Sequence, residues 1–197
     1  MTFNKEFLDA VALAAEHSPE PLVVPWPTRG NLGGFVSFAS FAEWRDFVQG
    51  LGLRGSVPDI VRLKFHRAQK LYLLGWIDID LIKAGELIGL TVLELALTDC
   101  YGRQTTKAYG NMAFAHLLRY MPEHDGLTDE KVGMNICCGG GTVIGLLTGA
   151  REPSLADIRN DSAHGDPFDG FPRSGLLELV RDLIDYAYRA NSNPQVA

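Results

Sequence analysis

The stretch Ile158-Arg159-Asn160-Asp161-Ser162-Ala163-His164-Gly165 gathers an arginine, an asparagine and a histidine within six residues. An imidazole exchanges protons near neutral pH, and a guanidinium offers a bidentate grip on a phosphate. Together they suit cleavage of a phosphodiester without a metal. His164 moves a proton, Arg159 stabilises the charge that develops on the phosphate, and Asn160 orients the histidine or donates to a phosphate oxygen. On a regular helix, residues five positions apart diverge by about 140°. Arg159 and His164 therefore converge on one site only if the helix ends near Ala163, with His164 at its end. Gly165, followed by Asp166 and Pro167, supplies such a stop in a left-handed turn. A structural role is equally concrete: Arg159 pairs with Asp157 or Asp161, and His164 caps helix carbonyls.

A second constellation bears on phosphate binding. Between Asp59 and Asp78 there is no acid, while Arg62, Lys64, His66, Arg67 and Lys70 all occur. Projected on a helix, Arg62, His66, Gln69 and Lys70 lie within about 100°, opposite Ile60, Ala68 and Leu71, and Lys64 falls on the apolar side. Arg62, His66 and Lys70 are thus candidate RNA-phosphate contacts, or a solvated basic face. The motif's own neighbourhood is not attractive to RNA, since residues 151–190 hold five basic and eight acidic side chains. Cys100, Cys137 and Cys138 are odd in number and two are adjacent, which fits reduced thiols rather than a disulfide framework. Neither they nor His116 and His124 show the short spacing of common zinc ligands, so no metal site is expected. Gly139-Gly140-Gly141-Thr142 lacks the Gly-Lys-Ser/Thr ending and the preceding strand of a phosphate loop.

The elements that must position these groups are helical. A short helix is expected over 4–16. Prolines and glycines through 18–37 then rule out continuous helix, leaving brief extended pieces at Leu22–Val24 and Phe35–Phe38. Phe41, Trp44, Phe47 and Val48 follow helical spacing to Gly50. A further helix runs from Pro58 to about Trp76. The next runs from Asp78 to Tyr101, with Gly102 as its stop and a narrow polar stripe of Asp80, Lys83, Thr91, Glu94 and Thr98. So narrow a stripe implies cover on most sides, from the helix's own bundle or a second subunit. Helices are expected over 108–121 and over 129–148, the latter with Thr128 as cap and glycines allowing close approach. Ser154 with Asp157 makes a capping box for the motif helix, and Ser174 caps the final helix, 174–190. The fold class is all-α: a helical bundle over 57–190, an irregular Pro/Gly-rich N-terminal extension over 1–56 packed on it, and a disordered tail over 191–197.

Composition bounds the function classes. The chain has 197 residues, 46% of them hydrophobic, and a net charge of −6. The mean hydropathy is +0.01 and the pI about 5.3. That is enough for one domain that needs neither disulfides nor a structural metal, and the acidic balance argues against strong non-specific nucleic-acid binding. The first residues carry acids and no long apolar run, so neither a signal peptide nor a membrane span is expected, and the location is read as cytoplasmic. No αβ alternation appears, which disfavours nucleotide folds built on parallel sheets.

Arg159-Asn160-Asp161-Ser162-Ala163-His164, with Asn after the Arg and a terminal helix following, resembles the signature of the HEPN superfamily. The long helices over 57–101 and the final helix are similar to that family's bundle. The resemblance implies a HEPN-like helical bundle and a metal-independent endoribonuclease needing no cofactor. It implies a homodimer that brings two Arg159–His164 motifs together, RNA as substrate, and a 2′,3′-cyclic phosphate product. It also implies an antitoxin or defence partner protein, as in toxin–antitoxin or antiviral systems. The alternative it implies is a catalytically inactive RNA- or nucleotide-binding or scaffold module. The toxin subgroup carries a tyrosine two residues after the histidine, where this chain has Asp166.

Overall fold

One long helix organises the chain. In a computed structural model, which describes residues 3–15, 20–165 and 170–192, α4 (Asp80–Tyr109) runs 30 residues, about 45 Å at the usual rise. α3 (Asp59–Leu74) precedes it across a short turn, and α5 (Phe114–His124), α8 (Leu155–His164) and α9 (Leu176–Ala187) also pack on it. Ile82, Leu90, Leu93, Ala96 and Leu97 of α4 are buried, so the helix's own bundle covers it. The expected polar stripe faces outward: Asp80, Thr91 and Thr98 are exposed, and Lys83 and Glu94 half-buried.

The N-terminal extension is built into the same core. α1 (Lys5–Ala15) leads to β1 (Leu22–Pro25) and β2 (Phe35–Phe38), an antiparallel pair with Leu22 opposite Phe38 and Pro25 opposite Phe35. α2 (Phe41–Gly50) starts at Ser40, whose hydroxyl accepts the Glu43 N–H. Trp26 and Phe38 meet Phe47 and Trp44 edge to face, each pair with ring centroids 4.9 Å apart, a geometry aromatic quadrupoles favour. Trp44 Nε1 donates to the Tyr72 carbonyl at 2.8 Å, and Trp26 Nε1 to Glu178 on α9 at 2.9 Å. A single apolar cluster runs from Phe3 to Tyr188, so residues 1–56 and 57–190 share one core. Apart from the β1–β2 hairpin the architecture is helical, and no helix among the described residues is long and apolar enough to cross a membrane.

Three expected boundaries move. α4 does not stop at Gly102 but runs to Gly110, at φ +82°. Gly102 serves space instead, because a Cβ there would lie 3.0 Å from Met112 Sδ. The following helix consequently begins at Phe114 rather than near 108. The stretch 129–148 is not one helix: a 3-10 turn at Asp129–Lys131 is followed by α6 (Gly133–Cys138) and α7 (Val143–Thr148). Gly139 and Gly141, both at positive φ, break the ladder between them. Thr128 makes no side-chain cap; the Asp129 carboxylate instead accepts the Val143 and Ile144 N–H groups at 2.7 and 3.1 Å, capping α7 from a distance. Ser174 likewise caps nothing: its hydroxyl donates to the Leu32 carbonyl, and Gly175 precedes α9. Arg189–Ser192 forms a last 3-10 turn. Pro19 of the arm, Asp166 and Pro167 after the motif, and residues 193–197 of the expected tail lie outside the described residues.

Candidate active site

α8 is set by its first turn. Ser154 Oγ accepts the Asp157 N–H at 3.2 Å, and Asp157 accepts the Ser154 N–H at 3.0 Å, the reciprocal pair of a capping box. Hydrogen bonds from the Ser154 hydroxyl and backbone hold the Asp157 carboxyl below its ordinary range. Leu155, Ala156 and Ile158 bury the inner face. The helix continues through His164 and stops at Gly165, φ +76°, whose N–H returns to the Asp161 carbonyl. The capping box and the left-handed glycine stop are both as the sequence predicts.

The partner of Arg159 is Glu94 of α4. Arg159 Nη2 donates to Glu94 Oε2 at 2.7 Å, with both side chains roughly a third exposed (30% and 27%). Neither Asp157, engaged in the cap, nor Asp161 takes that place. Arg159 Nη1 also donates to Asn160 Oδ1 at 3.1 Å, so Asn160 serves the arginine rather than the histidine. His164 is exposed, and among the described residues no hydrogen bond is made by its ring. Within one chain Arg159 is held against α4, while His164 at the helix end is exposed. Sequence reasoning placed Glu94 on the polar stripe of α4 but missed it as the partner of Arg159; its signal was an acid on that stripe.

Beside the motif lies a cleft of about 810 Å³ between the start of α4, the end of α8 and residues 170–173, lined by Asp80, Lys83, Glu86, Asp161, Phe171 and Arg173 among others. Glu86 is buried and accepts the Arg173 N–H. Asp161 and Ser162 of α8 and its C-cap Gly165 face the cleft, whereas Arg159 and His164 are not among its lining residues.

The structure brings Arg62, His66 and Lys70 onto one flank of α3, where each is half-buried. Arg62 is ion-paired with Asp59. The His66 ring stacks on Phe3 at 4.4 Å, and Lys70 lies 5.5 Å from the centre of the Phe7 ring on α1. Burial, followed by the nearby Lys70 charge, pushes the His66 imidazole below its ordinary pKa. The open strip expected from the helical projection is therefore a flank occupied by the N-terminal segment. The cause is the orientation of α3: its core face is Val61, Phe65, Ala68 and Tyr72, while Ile60, read as inward, is 56% exposed.

Among the described residues no three His, Cys, Asp or Glu side chains gather as metal ligands. Comparison with protein-family models, with curated proteins and with solved structures finds no match to this chain.

Proposed function

We propose that the chain is a HEPN-type protein that cleaves RNA without a metal, acting as a homodimer in a toxin–antitoxin or antiviral defence setting. The observation that carries this reading is the end of α8: His164 is exposed at the last helical position, with Gly165 cutting the helix off and Arg159 held in place by Glu94 and Asn160. A second copy related by a two-fold axis supplies what one chain lacks, a histidine opposite an arginine. His164 takes the proton of a ribose 2′-hydroxyl as its oxygen attacks phosphorus. The bond to the 5′-oxygen breaks, a 2′,3′-cyclic phosphate forms, and a proton goes to the leaving oxygen. Arg159 retains N–H donors beyond those given to Glu94 and Asn160, and these meet the charge on the phosphate. Arg62, His66 and Lys70 are not invoked in this reading, because the N-terminal segment packs on that flank of α3.

In the second reading, an inactive RNA-binding or scaffold module, the carboxylates Asp80, Glu86 and Asp161 in the adjoining cleft, which repel a polyanion, favour the scaffold form. Incubating the protein with varied RNAs in the presence of a chelator separates the two. Cleavage with cyclic-phosphate ends supports the enzyme. RNA binding without cleavage, or a monomer in light scattering at tens of micromolar, supports the module.

A further inference from the structure

α3 carries a surface that its own fold does not use. Its inner face, Val61, Phe65, Ala68 and Tyr72, is buried. Along the opposite side run Ile60, Leu63, Arg67, Lys70 and Leu74, at alternating spacings of three and four, the seam spacing along which a second helix lies. Ile60 and Leu63 are 56% and 46% exposed, and Ile77 just beyond the helix is 51% exposed. Ile60, Leu63 and Leu74 are not members of the buried core cluster, and Leu74 is half-buried. Arg67 is exposed at the middle of the seam, and Lys70 is half-buried beside it. The line is apolar, then basic, then apolar over roughly 21 Å, and no acid lies between Asp59 and Asp78.

We infer that this seam docks an amphipathic helix of a partner protein, apolar at both ends and acidic in the middle, with its carboxylates facing Arg67 and Lys70. The charge pattern selects this occupant. A second copy on the same face would stack Arg67 and Lys70 on their own equivalents. A lipid surface that took in Ile60 and Leu74 would draw the two cations between them into the acyl layer. RNA would leave the apolar ends unmatched. The inference stands apart from the ribonuclease reading and survives its failure.

Two synthetic helical peptides of equal length test it. Both carry leucine opposite Ile60, Leu63 and Leu74; one carries glutamate and the other lysine opposite Arg67 and Lys70. By fluorescence anisotropy the full chain binds the glutamate peptide at least tenfold more tightly. Leu63→Lys weakens that binding tenfold or more, and Arg67→Glu shifts the preference toward the lysine peptide, with far-UV circular dichroism unchanged in both variants. Failure to bind the glutamate peptide, equal affinity for the two, or indifference to Leu63→Lys overturns the inference. So does Leu63-dependent binding to phosphatidylglycerol vesicles, or Leu63-dependent self-association in light scattering.

Discussion

Replacing Asp125 by asparagine should loosen the end of the bundle by an amount that depends on pH. The Asp125 carboxylate accepts the Tyr101 hydroxyl at 2.6 Å and both Arg189 Nη groups at 2.7 Å, tying the 3-10 turn after α9 to α4 and to the loop after α5. Tyr101 is only 7% exposed, so its bond to a charged acceptor is worth about 1.5–3 kcal/mol. The Arg189 side chain is 39% exposed, and solvent screening limits that pair to under about 1 kcal/mol. Asparagine keeps one acceptor oxygen, so the net loss should be about 2 kcal/mol, or roughly 4–8 °C in Tm for a chain of this size. Burial opposes ionisation of Asp125, but the Arg189 and Tyr101 donors outweigh it and hold the carboxyl below its ordinary range. A depressed carboxyl stabilises above its unfolded pKa, about 3.9, and that contribution is lost as pH falls through the folded value. In urea denaturation the gap between wild type and Asp125→Asn should be full at pH 7 and shrink below about pH 4. A gap under about 0.5 kcal/mol at pH 7, or one that does not change on acidification, would refute the reasoning.

Gly85→Ala would place a Cβ 2.7 Å from the buried Tyr72 ring and 3.2 Å from the Ala68 carbonyl, so a loss of about 1–3 kcal/mol in thermal unfolding should outweigh the gain in helix propensity. Asp129→Ala removes the acceptor for two backbone N–H groups at the start of α7; about 1–2 kcal/mol should be lost, with faster hydrogen exchange confined to 142–148. Glu94→Gln should cost about 1 kcal/mol or less, since the pair is partly exposed. RNA turnover should nevertheless fall with KM nearly unchanged, because Arg159 loses its fixed orientation; a change in KM alone would make Glu94 a binding determinant instead.

What the sequence made legible was local. The Ser154–Asp157 box, the Gly165 stop, the spacing of Phe41, Trp44, Phe47 and Val48 in α2 and the two extended pieces at 22–24 and 35–38 each rest on residues close in sequence. What it concealed depends on distant packing. Gly102 reads as a helix stop, yet its missing side chain makes room for Met112, ten positions on. Asp129 reads as a first-turn acid, yet it caps a helix that starts at Val143. α3 has apolar residues on both sides, so its projection alone did not choose between Val61–Phe65–Tyr72 and Ile60–Leu63–Leu74 as the core face. The apolar side read from Ile60, Ala68 and Leu71 keeps only Ala68 in the core, and the basic flank lies beside α1 rather than in the open. The motif and the end of its helix were legible, whereas the ion pair from Arg159 to Glu94 on α4 was not.

RNA cleavage by the wild type, His164→Ala and Arg159→Ala, compared under chelator and with folding checked by circular dichroism, tests the central claim most directly. The account predicts that either substitution lowers cleavage on the order of 10²–10⁴-fold, and that the products end in a cyclic phosphate. Cleavage that survives His164→Ala in a folded protein would contradict it.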